Sequence, residues 1–152
     1  MKFVFGAVLA VLVLVACSEK ISVEQQIIAT LRKMEVAAEE GKHFEFMDYV
    51  ADSFGGQASS MDRREFHRFM IFQMNQHRRL YAQFFPIYVQ EIDMDHASAN
   101  FRLLVTGGGA LLPESGQLFE VETQWLLDGG DWKLEKADWE VVHLPDARLD
   151  KN

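Results

Sequence analysis

The spacing of the hydrophobic residues changes at about residue 80, and this change does most to limit the possible folds. Before it, apolar residues recur at intervals of three and four, which places their side chains on one face of a helix. After it, they alternate with polar residues, as in strands that bury one face. Helices followed by strands are typical of an α+β domain with helices on one face of an antiparallel sheet. The chain has 152 residues, 49% of them hydrophobic, which is enough for one such domain.

Three helices are predicted in the first half of the chain. The first begins at Ser22, because Ser22 and Gln25 have the S-x-x-Q spacing of a capping box, and it ends at Gly41. A second, shorter helix is expected over residues 42–54, and a third is expected to have Ser60 as its N-cap. The residues expected to be buried on the third helix are Phe66, Phe69, Met70 and Met74, with His77 one turn further on.

Four strands are predicted in the second half, at residues 85–93, 97–105, 119–127 and 132–143. In the first of them, Phe85, Ile87 and Val89 are expected to share the buried face. The buried faces expected in the next two strands are Ala99, Phe101, Leu103 and Val105, and then Phe119, Val121, Thr123, Trp125 and Leu127. The glycine content predicts loops at residues 54–60 and 107–116 and a turn at residues 128–131.

The order helix, short helix, helix and then sheet, together with the final strand from Trp132 to Trp139, resembles the nuclear transport factor 2-like superfamily. The resemblance covers residues 24–144. It implies a cone in which a curved sheet wraps a long helix and leaves an apolar pocket, and a short strand that would fall within residues 54–59. We therefore expect three N-terminal helices packed on a curved antiparallel sheet of about four strands.

The N-terminus carries a different signal. Residues 3–17 contain no charged side chain, follow Lys2 and end in Cys17, which is the only cysteine. This stretch has the length of a signal peptide and is shorter than the roughly 20 residues that a membrane-spanning helix needs. Its last four residues, Leu14-Val15-Ala16-Cys17, resemble the bacterial lipobox, which implies acylation of Cys17 and cleavage before it. The alternative is an ordinary signal peptide, or a short membrane helix, in which Cys17 has no role.

The predicted organisation is a lipoprotein signal peptide at residues 1–16, a lipidated N-terminus and short tether at 17–21, the nuclear transport factor 2-like domain at 22–144 and a polar tail at 145–152. The lipid bilayer is thus a predicted partner, through acylated Cys17. Ser18 stands where enterobacterial lipoproteins retained at the inner membrane carry aspartate, which favours the outer membrane, facing the periplasm. The net charge of −8 disfavours binding to nucleic acid.

The sequence contains no recognisable catalytic or cofactor motif. It has no G-x-S-x-G, Walker or H-E-x-x-H pattern, and its five histidines are scattered, so neither a metal nor a cofactor is predicted. Enzymes of the superfamily, such as ketosteroid isomerases and scytalone dehydratases, place ionisable groups inside the cone. By that resemblance His77 and Tyr49 are the candidate catalytic residues. Asp48, His67 and Arg102 are expected to lie on solvated faces.

Basic residues of the third helix form a second candidate site. Arg63, Arg64 and Arg68 contrast with the acidic remainder of the chain and could bind an acidic partner or a phosphate-bearing headgroup; a merely solvated helix face is the other interpretation. The expected function is that of a membrane-anchored periplasmic lipoprotein whose domain binds a partner protein or an apolar small molecule without catalysis. The alternative is an acid–base enzyme of the isomerase or dehydratase type that uses His77 and Tyr49.

Overall fold

The computed structural model describes residues 20–76, 80–109 and 112–143, which form an α+β domain. The helices are α1 (Val23–Glu39), α2 (His43–Met47) and α3 (Arg63–Gln76), and the strands are β1 (Val50–Gly56), β2 (Met61–Asp62), β3 (Leu80–Glu91), β4 (His96–Gly109), β5 (Leu112–Asp128) and β6 (Asp131–Val141). Among these residues, no helix combines the length and the apolar character needed to cross a membrane. The predicted signal peptide, the lipobox and the polar tail lie outside the described residues.

One curved, open sheet contains all six strands, in the order β2-β1-β6-β5-β4-β3. Strands β3 to β6 are antiparallel neighbours, as predicted. Strand β1 instead lies parallel to β6, so the sheet is mixed. The expectation of about four strands was therefore too low, because β1 and β2 extend the sheet beyond the four strands of the second half.

The second helix is much shorter than predicted. It ends at Met47, and after a turn at Asp48 and Tyr49 the chain is extended as β1. The spacing of Val50 and Phe54 suggested a helix, but both residues belong to β1 and are buried there. Strand β1 is held by pairing with β6, for example Val50 with Leu134, and by pairing with β2. Because β6 is distant in the sequence, local spacing could not reveal this pairing.

The capping of α1 is as predicted, and that of α3 is not. The Ser22 hydroxyl oxygen accepts from the Gln25 N–H at 3.2 Å, while the Gln25 side-chain oxygen accepts from the Ser22 N–H at 3.1 Å. In α3 the cap is Asp62 rather than Ser60. The Asp62 carboxylate accepts from the Glu65 N–H at 2.7 Å, and the Glu65 carboxylate accepts from the Asp62 N–H at 3.0 Å. This reciprocal pair is again a capping box, with Asp in place of Ser.

The core lies between the helices and the concave face of the sheet. Helix α1 buries Ile27, Leu31, Met34, Ala37 and Ala38, and the sheet contributes Ala97, Ala99, Phe101, Val121, Trp125, Trp132, Leu134 and Ala137. The alternation predicted for β4 and β5 is thus confirmed at Ala99 and Phe101 and at Val121 and Trp125. The predicted loop at residues 107–116 is wrong at both ends, because β4 runs to Gly109 and β5 starts at Leu112. The turn before β6 is confirmed, with positive φ at Gly129 and Gly130.

The buried face of β3 differs from the prediction. The pairing register shifts between Phe85 and Ile87, which leaves Pro86 as a bulge. Because the bulge inverts the alternation, Phe84 rather than Phe85 packs against the core, and Phe85 is 42% exposed. Beyond the bulge, Ile87 and Val89 pack against the core as expected.

Candidate ligand-binding cavity

A partly open cavity of about 620 Å³ lies between the helices and the concave face of the sheet. This volume is within the range of pockets that bind small molecules. The helices line it with Leu31, Met34, Glu35, Ala38, Phe46, Phe66, Phe69, Met70 and Gln73. The sheet lines it with Leu80, Ala82, Phe84, Phe101, Leu103, Val105, Gly107, Gly116, Gln117, Phe119, Val121, Thr123, Leu134, Ala137 and Trp139.

Aromatic rings from several elements make up much of this lining. Phe66 of α3 stacks on Phe54 of β1 with ring centroids 4.5 Å apart, and Phe69 stacks on Trp139 of β6 at 5.6 Å. Elsewhere on the concave face of the sheet, the rings of Phe84 and Phe101 meet edge to face, with their centroids 5.1 Å apart. Because these rings hold one another in place, the apolar walls of the cavity are built before any ligand enters.

Polar side chains are few in the lining, and they differ in what they can offer a ligand. The Thr123 hydroxyl donates to the Ala99 carbonyl at 2.7 Å and accepts from the Trp125 indole N–H at 2.8 Å. Thr123 is therefore occupied by internal hydrogen bonds. Glu35 and Gln73, on α1 and α3, are the polar groups by which the helices could fix the orientation of a ligand.

Glu35 has the most unusual environment of these groups. Its side chain is only 16% exposed, and burial raises the pKa of its carboxyl group above the ordinary value. The nearby charge of Glu39 raises this pKa further, whereas Arg32 lowers it. The Arg32 guanidinium lies 3.5 Å from the Glu35 carboxylate but is itself 66% exposed. Glu35 thus spans the apolar cavity on one side and solvent on the other.

Of the two candidate catalytic residues, the structure describes Tyr49. Tyr49 is half-buried and packs against the core, but it is not among the residues that line the cavity. Its carbonyl accepts from the Leu134 N–H at 2.8 Å, which ties the end of α2 to β6. His77 lies outside the described residues. Sequence reasoning also missed Glu35, whose only signal was its place beside Met34, next to the buried stripe of α1.

The three residues expected on solvated faces divide into two groups. Asp48 and Arg102 are exposed, as expected, and Arg102 lies 3.9 Å from Glu120 on the outer face of the sheet. His67 is instead half-buried, with its Nε2 atom 2.9 Å from Nδ1 of His43. Burial lowers the pKa of His67, and the charges of His43 and Arg63 lower it further.

The predicted basic patch is not uniform. Arg63 is half-buried and donates to the Met47 carbonyl at 2.9 Å and to the Val50 carbonyl at 3.4 Å. This side chain therefore joins α3 to α2 and β1. Arg64 and Arg68 are exposed, so they are the described members of the patch that a partner could reach.

One cluster in the described residues has the composition of a metal site. Ligand atoms of Asp93, Asp95 and His96 lie within 4.8 Å of one another. However, the Asp93 carboxylate accepts from the backbone N–H groups of Asp95 and His96, at 3.1 and 2.8 Å. These hydrogen bonds account for the arrangement as a turn between β3 and β4.

No protein-family model matches this sequence, and no curated protein sequence matches it. Solved structures do share its architecture. The Bdellovibrio bacteriovorus protein Bd1075 is similar with a TM-score of 0.68 and 8% identity, over 80% of this chain. This chain spans 41% of Bd1075.

Two smaller proteins are matched over most of their own length. A protein of unknown function with a cystatin-like fold from Nostoc punctiforme has a TM-score of 0.65 and 15% identity, over 78% of this chain and 90% of that one. A proposed dehydratase of the nuclear transport factor 2-like family from Streptomyces avermitilis has a TM-score of 0.67 and 17% identity, over 79% and 96%. At these identities the likeness concerns the fold alone. The domain therefore has the nuclear transport factor 2-like, or cystatin-like, fold that the sequence predicted.

Proposed function

We propose that this domain binds an apolar small molecule in the cavity and does not transform it. The observation that carries the proposal is the cavity of about 620 Å³ lined mainly by apolar side chains, among them six Phe and two Met. Transfer of apolar surface from water into such a site is favourable by about 25 cal/mol per Å². The flexible side chains of Met34 and Met70 can adapt to the shape of a ligand, while the stacked rings give rigid walls.

A matched pair of substitutions on β4 tests this proposal. Leu103 lines the cavity, whereas Leu104 points to the opposite face of the sheet. Leu103→Trp should fill part of the cavity and weaken binding of the neutral probe N-phenyl-1-naphthylamine, which fluoresces in apolar surroundings. Leu104→Trp adds the same bulk outside the cavity and should leave that binding unchanged. Equal effects of both variants, or no binding by the unaltered chain, would contradict the proposal.

We also propose that the domain is held at the outer membrane, facing the periplasm, by lipid on Cys17. The support is the uncharged stretch at residues 3–17 and its ending in Leu-Val-Ala-Cys. Several acyl chains, at roughly 0.8 kcal/mol per buried methylene, would make the attachment stable. Cells grown with an alkyne analogue of palmitate should label the unaltered chain and not the Cys17→Ser variant. An unlabelled wild-type chain would overturn this part of the proposal.

An acid–base enzyme of the isomerase or dehydratase type is the second candidate function. The observation that favours it is Glu35, a residue of the cavity lining whose carboxyl pKa is raised by burial, which is the direction in which enzymes tune a carboxylate general base. The similar protein from Streptomyces avermitilis is itself a proposed dehydratase. Incubation with 2-tetralone, an apolar ketone, in D₂O would test it. Faster exchange of the C–H beside the carbonyl with the wild-type chain than with Glu35→Gln would support catalysis.

A further inference from the structure

The position of Glu35 restricts the chemistry of the ligand beyond its being apolar. Glu35 lines the cavity beside Met34 and Ala38 of the same helix, so its side chain borders the space that an apolar ligand would fill. Only 16% of its side chain is exposed. A ligand that enters the cavity removes further water from this group. An ionised carboxylate that loses water without gaining a partner is strongly disfavoured.

The protein compensates this charge incompletely. Arg32 approaches Glu35 at 3.5 Å, which is long for a charge-assisted hydrogen bond, and Arg32 is mostly exposed to solvent. Glu39, one turn further along α1, adds a second negative charge. The Glu39 carboxylate is already held by the Ala82 N–H at 3.0 Å, so it stays close to the cavity wall. The local field therefore favours a positive group on the ligand.

The remaining walls suit the same ligand. Phe46, Phe66 and Phe84 line the cavity, and the faces of aromatic rings attract cations. An acidic ligand would instead place its charge near two carboxylates. A neutral polar ligand could donate a hydrogen bond to Glu35 but would gain no charge pairing.

We infer that the ligand is an apolar molecule that carries one protonated amine, and that Glu35 binds this amine. The inference rests on the proposed function, since it names the ligand class of the same cavity. It makes Glu35 a specificity-determining residue of the site.

Three probes with one ring system separate the contributions: 1-naphthylmethylamine, 1-naphthylmethanol and 1-naphthoic acid. Their affinities would be measured by calorimetry on the full chain in phosphatidylcholine nanodiscs, with empty nanodiscs subtracted. We expect the amine to bind about tenfold more tightly than the alcohol, as a charge-assisted hydrogen bond would give, and the acid to bind most weakly. Glu35→Gln should lower the affinity for the amine to that for the alcohol and leave the affinity for the alcohol unchanged.

Glu120→Gln, which removes an exposed carboxylate from the outer face of the sheet, is the matched control and should alter none of these affinities. Equal binding of amine and alcohol, or an amine preference that survives Glu35→Gln, would overturn the inference while leaving the proposed function intact. Failure of all three probes to bind would overturn both.

Discussion

The indole N–H of Trp125 donates a 2.8 Å hydrogen bond to the hydroxyl of Thr123, two residues earlier on the same face of β5. That hydroxyl donates in turn to the Ala99 carbonyl on β4 at 2.7 Å. Trp125 is 0% exposed and Thr123 is 4% exposed, so neither group can turn to bulk water. A single hydroxyl therefore satisfies two buried polar partners on neighbouring strands beneath the cavity.

Replacing this hydroxyl by a methyl group tests its importance. Thr123→Val keeps the shape of the side chain but leaves the Trp125 N–H buried without an acceptor. We expect the free energy of unfolding, measured with urea, to fall by about 1–3 kcal/mol. Thr123→Ser keeps the hydroxyl, loses one methyl group and should cost less, up to about 1 kcal/mol. If Thr123→Ser were as harmful as Thr123→Val, packing rather than hydrogen bonding would be the cause.

Arg63 is expected to stabilise the fold rather than to bind a partner. Arg63→Ala removes the donors to the Met47 and Val50 carbonyls and should lower the free energy of unfolding by about 1–3 kcal/mol. Arg64→Ala, at an exposed neighbouring position of α3, should change it by less than about 0.5 kcal/mol. Urea unfolding of both variants checks this. A larger loss for Arg64→Ala than for Arg63→Ala would contradict the assignment.

Sequence reasoning succeeded where structure depends on neighbours along the chain. The capping box of Ser22 and Gln25 and the turn at Gly129 and Gly130 are local hydrogen-bond and backbone preferences, and each is present as predicted. The alternation in β5 also identified Trp125 as buried. The overall fold followed from the order of these elements, because the layers must bury their apolar faces against one another.

It failed where distant residues decide the outcome. Val50 and Phe54 fit a helix as well as a strand, and only pairing with β6 selects the strand. The bulge at Pro86 changes the alternation within β3, so that Phe84 rather than Phe85 faces the core, and alternation alone cannot reveal this. Glu35 lies beside Met34, next to the buried stripe of α1, and this position alone does not predict a cavity. Only the assembled fold shows that its side chain lines the cavity.

The pKa of His67 predicts a dependence of stability on pH. Because its pKa is lowered in the folded protein, the unfolded chain binds a proton more readily, starting near the ordinary value of 6.5. The contribution of His67 to the free energy of unfolding should thus be greatest above pH 6.5 and fall as the pH decreases toward the lowered pKa. His67→Gln should reduce this fall, as measured by urea unfolding between pH 7.5 and 5.5.

Two other histidines make this measurement specific. His96 has a pKa raised by its hydrogen bond with Asp93, so it contributes stability below pH 6.5 that is lost as the pH rises. The pH dependence that His96 contributes is opposite in sign to that of His67, and it is present in both the wild type and the His67→Gln variant. His143→Gln, the same change at an exposed histidine, serves as the matched control substitution. A His67→Gln variant with the full wild-type slope would contradict the prediction.

Glu35 should reduce the stability of the unliganded protein at neutral pH. A carboxyl group whose pKa is raised on folding favours the folded state below its ordinary pKa of 4.5, and this contribution is lost as the pH rises through the raised value. Glu35→Gln should therefore melt at a higher temperature than the wild type at pH 7, with a smaller difference at pH 4. Glu120→Gln, at an exposed carboxylate, should show no such gain. A lower melting temperature of Glu35→Gln at pH 7 would mean that Arg32 fully compensates the charge of Glu35. The carboxylate would then gain little from binding a cationic ligand.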